Sequence, residues 1–252
     1  MFSLVGFYES QDSSAALVLA AALADPHLRV SGDDITLPEW APNLLAATAF
    51  GAGITLAQLR SPGLREFAQF DLAPLALAAE PITLQRIQDW FDNPIHVGAR
   101  QILQAAVAES TSGAEVDPVL VWIGDKIDPV PPGPMRTVRC TNGSTLSAGV
   151  WTNGALTFTQ TLSAGKYAVV GMMAWSAGLL AARLVPPGAY HRPGCLGGDL
   201  LGDIAPDRFR YGRAGKWCQF DTDAPPTVDF LSVSADTAQE VYLDVVQLTE
   251  RR

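Results

Sequence analysis

The sequence is poor in the residues that carry most enzyme and metal chemistry. It has three histidines and three cysteines in 252 residues. The histidines are His27, His96 and His191. The cysteines are Cys140, Cys195 and Cys218. No two histidines are close in sequence, and the cysteines form neither a CxxC pair nor a zinc spacing, so we predict no metal site, no cofactor and no catalytic residue. We expect the thiols to be buried, and a bond between Cys195 and Cys218 stays open.

The chain also has little that is typical of nucleic-acid-binding or membrane-spanning proteins. Only 17% of its residues are charged and its net charge is −9, which disfavours binding to a phosphate backbone. There is no Walker A motif and no GxGxxG loop after a strand. The apolar run Ala15–Ala24 is too short to span a bilayer, and Glu9 and Asp12 precede it where a signal peptide carries positive charge. We therefore expect a folded protein made in a reducing cytoplasm, with no sequence-specific nucleic acid partner.

What the sequence does contain is a long internal repeat. The segments Ala49–Gly63 and Ala174–Gly188 align at an offset of 125 positions and share seven identical residues, about half of the window. Average composition would give roughly one or two identities. At the same offset Thr36-Leu37 meets Thr161-Leu162, outside that window. The period is much longer than that of a solenoid repeat and is close to half of the chain, so it indicates a duplicated domain.

A stiff segment lies where the duplication predicts a boundary. The stretch Asp128–Pro134 has four prolines in seven residues, and such a stretch is extended and joins neither a helix nor a central strand. We therefore predict a first domain at 1–127, a linker at 128–134 and a second domain at 135–252.

Short apolar runs separated by turn residues predict an all-β fold with about eight strands in each half and short helices in loops. Gln101–Glu109 has helix-favouring residues, but its repeat partner is rich in strand formers, so the repeat predicts a strand. Thr83–Phe91 fits a short helix. Leu28–Leu37 predicts two strands joined by a turn at Gly32.

Three further features predict turns and loops. In each half a glycine turn predicts a central hairpin, Leu44–Phe50 with Ile54–Arg60 and Lys166–Trp175 with Leu179–Val185. The Asn-Gly pair in Trp151–Gly154 is the strongest hairpin signal in the chain. The glycine-rich stretch 186–215 is predicted to be one long loop.

Several side chains have the residue types of functional sites. Ser176 lies in a relaxed nucleophile-elbow pattern, but strand-like residues follow where an elbow needs a helix, which favours a hairpin turn. The acids Asp199, Asp203 and Asp207 recur every four residues, a spacing that fits no EF-hand and favours solvated loop acids.

The cations Arg208, Arg210, Arg213 and Lys216 form a small basic cluster, interpreted as a surface or subunit contact. The chain has six tryptophans, for which core packing and sugar binding are competing interpretations. Trp90 and Trp217 stand just before two Phe-Asp pairs, Phe91-Asp92 and Phe220-Asp221, that the repeat aligns with a small slip. Trp175 lies in the second predicted central hairpin.

The chain resembles the double jelly-roll major capsid proteins of tailless icosahedral viruses. It shares with them a duplicated domain, a linker between the two copies and the absence of a recognisable set of catalytic residues. The resemblance covers the whole chain and rests on architecture. The stretches Leu179–Gly188 and His191–Gly197 also look like uncharacterised phage virion proteins.

Membership would imply two tandem eight-stranded jelly-roll sandwiches and a homotrimer whose six sandwiches form a pseudo-hexameric capsomer. It would also imply that the protein binds neighbouring capsomers and penton or minor capsid proteins, and that an internal membrane is a further partner. The protein would then be located in the virion.

We therefore expect a non-enzymatic capsid subunit that works by self-assembly. The alternative is a carbohydrate-binding or receptor-binding β-sandwich module, and the third hypothesis is a hydrolase that uses Ser176.

Overall fold

The computed structural model describes residues 1–9, 16–51, 53–66, 72–74, 77–78, 87–109, 116–199 and 207–250. The prediction of an all-β chain is confirmed. Two short 3-10 helices, Pro62–Glu66 and Asp207–Phe209, occur within this described part. None of its helices has the length and apolar character needed to cross a membrane.

By its contacts the chain divides into two compact units. The first unit is Leu4–Asp125, and the second unit is Lys126–Arg252 together with Met1–Ser3.

Strands β1 to β13 end before the proline-rich segment. They are β1 (Phe2–Glu9), β2 (Val18–Leu19), β3 (Ala21–Ala22), β4 (Arg29–Ser31), β5 (Asp34–Thr36), β6 (Asn43–Phe50), β7 (Ile54–Arg60), β8 (Leu72–Pro74), β9 (Leu77–Ala78), β10 (Gln88–Asp89), β11 (Ile95–His96), β12 (Ile102–Glu109) and β13 (Asp117–Gly124).

Strands β14 to β22 follow that segment. They are β14 (Met135–Asn142), β15 (Thr152–Ala155), β16 (Thr157–Phe158), β17 (Gly165–Trp175), β18 (Leu179–Val185), β19 (Gly194–Gly198), β20 (Cys218–Asp221), β21 (Thr227–Ser232) and β22 (Gln239–Glu250).

The first unit is a sandwich of two sheets. One sheet has the order β10-β6-β13-β1-β3, and the other has the order β4-β5-β12-β7-β8 with β2 also paired to β12. Alternate residues of the two sheets face each other and form one core, in which Phe7 and Val121 belong to the first sheet and Leu59 and Val107 to the second. This alternation follows from the period of two along a strand, which sends every second side chain inward.

The second unit has the strand order β15-β21-β18-β19-β17-β22-β14-β16, with β20 also paired to β17. Strand β19 joins two parts of this sheet, because it pairs with β18 antiparallel and with β17 in parallel. The parallel contact brings Trp175 next to Gly198.

The pairings of the two units correspond. Strand β6 lies between β10 and β13 as β17 lies between β20 and β22, and β12 pairs with β2 and β7 as β21 pairs with β15 and β18. Two irregularities of the first unit recur in the second, although the β17–β22 ladder also skips Leu248. The β6–β13 ladder skips Leu45 and the β17–β22 ladder skips Val170, which is 125 positions later. The β7–β12 ladder skips Thr55 and the β18–β21 ladder skips Leu180, at the same offset.

Several sequence-based predictions are confirmed at the level of elements. Residues 102–109 form strand β12, so the repeat outweighed local helix propensity there. Strands β4 and β5 form the hairpin expected at Gly32, whose φ of 63° is the left-handed conformation that the turn requires.

The two predicted central hairpins are wrong. Strands β6 and β7 belong to different sheets, and β17 and β18 are separated by β19. The glycine turns at Gly53 and Gly178 therefore form corners rather than hairpins. Two apolar runs around a glycine indicate two strands and a sharp turn, but they do not specify which strand each one pairs with.

The hairpin predicted at Trp151–Gly154 is also wrong, because residues 152–155 form strand β15, paired along its whole length with β21. A Cβ on Gly154 would overlap the side chain of Asn142, whose amide donates to the carbonyl of Ala155 at 2.6 Å. The glycine therefore serves close approach rather than a turn.

Two further predictions need correction. Of the helix predicted at Thr83–Phe91, residues 83–86 lie outside the described part, and Gln88–Asp89 form a strand on β6. The loop predicted at 186–215 contains strand β19. Here again the glycine permits a close approach, since a Cβ on Gly197 would lie 2.9 Å from the carbonyl oxygen of Leu179.

Candidate functional site

Ser176 lies at the corner between β17 and β18 and is buried. Its hydroxyl donates to the carboxylate of Asp236, which also accepts from the backbone N–H groups of Ala177 at 3.2 Å and Thr237 at 2.7 Å. These contacts, that of the Ser176 hydroxyl foremost, lower the pKa of Asp236. The arrangement ties the corner to the loop between β21 and β22. Strand β18 follows where a nucleophile elbow requires a helix.

The imidazoles that could serve as a base for Ser176 have other partners. The Nε2 atom of His191 lies 3.1 Å from the carbonyl oxygen of Trp217, and Nδ1 of His96 lies 2.8 Å from the side chain of Asn43. Burial lowers the pKa of His191.

The two loop acids that the structure describes, Asp199 and Asp207, have separate environments. The carboxylate of Asp199 accepts from the backbone N–H of Gly178, Asp203 lies outside the described residues, and Asp207 begins a 3-10 helix. Among the residues that the structure describes, no group of three or more His, Cys, Asp and Glu side chains is placed to hold a metal ion.

The three cysteines are buried, as expected, and none of them forms a disulfide bond. Burial raises the pKa of Cys140, Cys195 and Cys218 to about 12 each, so all three stay protonated at neutral pH.

The predicted basic cluster does not lie together on the surface. The guanidinium of Arg210 is buried and makes a two-pronged ion pair with Asp244, with Nε–Oδ2 at 2.7 Å and Nη2–Oδ1 at 3.0 Å. Thr137 and the N–H of Tyr211 also donate to this carboxylate, at 2.7 Å and 3.0 Å. Lys216 instead lies 3.8 Å from Asp128.

Burial by itself would raise the pKa of Asp244, but the donors outweigh it and the pKa lies below its usual range. In the sequence, the one indication of this ion pair is that Asp244 is a single acidic residue inside the apolar run Val241–Val246.

Sequence reasoning missed a second buried ion pair. Nε of Arg183 lies 3.0 Å from Oδ2 of Asp229, and the amide of Asn153 donates to Oδ1 of the same carboxylate at 2.8 Å. The ring of Trp151 covers the guanidinium, with 4.2 Å between its centroid and Cζ. A charged residue in each of two apolar strands, β18 and β21, was the signal for it.

The tryptophans singled out in the sequence have different environments. Trp217 is buried and packs edge-on against Phe2, with ring centroids 5.4 Å apart. Trp90 is partly buried against the core of the first unit. Trp175 is half-buried on the outside of its sheet and stacks on Tyr242 at 4.7 Å.

Trp175 belongs to a mixed surface on β17, β22 and β14 and on the turn that follows the 3-10 helix Asp207–Phe209. We name it the Trp175 face and define it by Arg139, Met173, Trp175, Tyr211 and Tyr242. The guanidinium of Arg139 pairs with Glu240 at 2.5 Å, and Tyr242 donates to the same carboxylate at 3.1 Å. Arg210 joins the rest of the face, since its Nη1 lies 3.3 Å from the sulfur of Met173 and its Cζ 4.5 Å from the ring centroid of Tyr211.

A shallow cavity of about 300 Å³ lies elsewhere in the second unit. It is lined by Phe158, Thr159, Gln160, Thr161, Leu162, Phe220, Thr222 and Pro225. The rings of Phe158 and Phe220 stack with centroids 6.1 Å apart, so the cavity combines aromatic surface with hydroxyl and amide groups.

No family model matches the chain, and no curated protein does so either. Among solved structures, the chain is similar to the major capsid protein P2 from bacteriophage PM2, with 10% sequence identity over 100% of this chain and 99% of that one. The TM-score is 0.25, and at that value the likeness carries no argument about fold or function.

Proposed function

We propose that the protein is a structural subunit of a viral shell, a major capsid protein built from two tandem eight-stranded jelly-roll sandwiches. The proposal assigns it no catalytic role. The observation that carries it is the correspondence of strand pairing between the two units, down to the skipped residues Leu45 and Val170.

The strand orders support the jelly-roll assignment. In a jelly roll the eight strands, lettered B to I in chain order, form the sheets B-I-D-G and C-H-E-F. In the first unit β1, β13, β6 and β10 have the first of these orders, and β2, β12, β7 and β8 have the second. In the second unit the corresponding strands are β14, β22, β17 and β20, and β15, β21, β18 and β19.

Duplication also supports the proposed assembly. Each chain supplies two similar wedges, so three chains around a threefold axis give a near-sixfold outline. In this proposal the domains are 1–127 and 135–252, joined by the linker 128–134. The partners are neighbouring capsomers and penton or minor capsid proteins in the virion, and a membrane under the shell is the partner with least support.

The test is the assembly state of the purified full chain. We expect mass photometry to find trimers, and cryo-electron microscopy to find six-lobed capsomers in them. A strict monomer at all protein and salt concentrations would overturn the proposal.

The aromatic cavity favours one second candidate, a carbohydrate-binding module. Sugars stack on aromatic rings and hydrogen-bond to hydroxyl and amide side chains, and the cavity around Phe158 offers both. A glycan array is the test. Binding that is lost in Phe158→Ala and kept in Tyr190→Ala, an exposed aromatic residue outside the cavity, would favour this candidate.

A further inference from the structure

Two acids at one end of the first unit point into its core. Glu109 ends β12 and Asp117 begins β13, and neither side chain has any exposed surface. The alternate residues of β12 before Glu109 belong to the core, and so do the alternate residues of β13 after Asp117. Because side chains along a strand have a period of two, both carboxylates lie between the two sheets.

The ladders bring these two acids to the same corner. Glu109 pairs with Ile54, where β7 begins, and in the register of the β6–β13 ladder Asp117 lies opposite Gly51, just after β6. A Cβ on Gly51 would overlap the Asp117 carboxylate and would lie 3.3 Å from the carbonyl oxygen of Val116. The glycine therefore leaves room for oxygen atoms that a larger residue would displace.

The carboxylate of Glu109 has no hydrogen-bond donor, since both of its oxygens are buried without a partner in the part of the chain that the structure describes. The basic side chains of this unit that the structure describes lie elsewhere. Arg29 is on β4, Arg60 is at the opposite end of β7, and Arg100 pairs with the exposed Glu39. A carboxylate only accepts hydrogen bonds, and burying an unpaired one is costly, so this corner needs a positive charge from outside these residues.

The second unit closes the equivalent corner with neutral side chains. In matching ladder register, Ser232 and Gln239 take the places of the two acids. The hydroxyl of Ser232 donates to the carbonyl of Gly178 at 3.0 Å, and the amide of Gln239 donates to the carbonyl of Asp236 at 3.1 Å. Two donors thus stand in the second unit where the first has two groups that only accept. A cation between the two carboxylates supplies what those donors supply in the second unit.

We propose that Glu109 and Asp117 bind a calcium ion at this corner of the first unit. Calcium takes roughly six to eight oxygen ligands in irregular geometry, whereas magnesium demands a nearly ideal octahedron. The two carboxylates and the carbonyl of Val116 supply part of this set, and water completes it. No third acid is required, in keeping with the absence of a cluster of three such side chains in the described part of the chain. The inference does not depend on the proposed role in a viral shell.

The test measures calcium binding to the full-length protein after treatment with EDTA and its removal. By isothermal titration calorimetry we expect the wild type to bind calcium and Glu109→Gln and Asp117→Asn to bind it at least about 10-fold more weakly, because each variant removes a charged ligand. Glu39→Gln, which changes an exposed acid of the same unit, should bind as the wild type does. A wild type that binds no calcium, or equal binding by all four proteins, overturns the proposal.

Thermal unfolding gives a second readout that does not depend on the calorimetric signal. Calcium should raise the melting temperature of the wild type and of Glu39→Gln but not that of Glu109→Gln. Without calcium, Glu109→Gln should melt at or above the wild type, because an amide replaces an uncompensated buried carboxylate. A Glu109→Gln protein that melts well below the wild type in EDTA would mean that the carboxylate is already satisfied within the chain, and the proposal would fail.

Discussion

The two units have the same strand pairing but differ in the charge and in the side chains that they carry. The first unit has 5 Lys and Arg against 15 Asp and Glu, a net charge of −10, and the rest of the chain has 12 against 11, a net charge of +1, which together give the −9 of the whole. The contrast is sharpest in the middle of the equivalent sheets. Where the first unit pairs Trp122 with Ala46, the second pairs Asp244 with Gly171.

This comparison distinguishes the constraint on strand pairing from the constraint on outward side chains. The residues skipped in the first unit, Leu45 and Thr55, have counterparts in the second at Val170 and Leu180, so these irregularities belong to the framework. The outward side chains differ: the first unit has the buried Thr48, Leu120 and Trp122 where the second has Met173, Tyr242 and Asp244. Side chains on the outer face of a sheet depend on their surroundings rather than on the ladder.

The largest effect is expected from breaking the buried ion pair that replaces Trp122. Asp244→Asn would leave the Arg210 guanidinium buried without its counter-charge, at a cost of about 4 kcal/mol in the free energy of unfolding. Because the pKa of Asp244 is depressed on folding, its contribution is present above pH 4 and is lost as the pH falls through the folded value. Denaturant titrations of wild type and variant at a series of pH values from 7 downward measure both effects.

The matched control replaces the pair as a whole. Arg210→Met with Asp244→Leu removes both charges and should recover most of the stability lost in Asp244→Asn, as apolar replacements of buried pairs do. A loss below about 1 kcal/mol in Asp244→Asn would mean that the pair is not buried as described.

The next effect concerns the N-terminal residues, which belong to the second unit. The ring of Phe2 is buried against Trp217, and the hydroxyl oxygen of Ser3 accepts from the N–H of Arg192 at 2.6 Å. Phe2→Ala should cost about 3 kcal/mol through the cavity it leaves. Hydrogen exchange should show lost protection around β20 with little change around β7 in the first unit. Equal loss in both would contradict the division.

A smaller difference in stability is expected between variants at the equivalent positions Gly171 and Ala46. A Cβ on Gly171 would lie 2.6 Å from the Asp244 carboxylate and 2.9 Å from the carbonyl oxygen of Phe209, so Gly171→Ala should cost about 2 kcal/mol by overpacking. The reciprocal Ala46→Gly adds entropy to the unfolded chain and removes one buried methyl group, and it should cost about 1.5 kcal/mol. Thermal unfolding of both variants tests the order, and a Gly171→Ala protein as stable as the wild type would contradict it.

The sequence was sufficient to predict elements but not partners. Apolar alternation located β7 and β18, and the repeat correctly made β12 a strand although its residues favour a helix. It did not show that Gly53 and Gly178 are corners, because the same turn residues serve a hairpin and a change of sheet.

The candidate site was harder to predict for a similar reason. Arg210 was placed in an exposed basic cluster because its partner, Asp244, lies 34 residues away on β22. Sequence proximity groups Arg210 with Arg208 and Arg213, whereas the fold turns it inward onto β22. The Trp175 face likewise joins β14, β17 and β22, whose adjacency only the ladder order reveals.

The smallest effect concerns the corners, where the units differ at Gly51 and Ser176. A Cβ on Gly51 would overlap the carboxylate of Asp117, whereas Ser176 donates its hydroxyl to Asp236. Asp236→Asn should cost about 1 kcal/mol, as the loss of a side chain that caps backbone N–H groups does. Since the hydroxyl of Ser176 and neighbouring N–H groups lower the pKa of Asp236 in the folded state, this stabilisation is present above pH 4 and disappears as the pH falls through that lowered pKa.

Denaturant titrations of wild type and Asp236→Asn should therefore differ at pH 7 and converge as the pH falls through the lowered pKa of Asp236. Ser176→Ala is the matched variant, because it removes the same hydrogen bond from the other side and its effect should not add fully to that of Asp236→Asn. Fully additive losses would mean that the hydroxyl and the carboxylate act separately. In that case each group would stabilise the corner through its other contacts, such as the N–H groups that donate to Asp236, and the hydrogen bond between the two side chains would not explain the difference from the first unit.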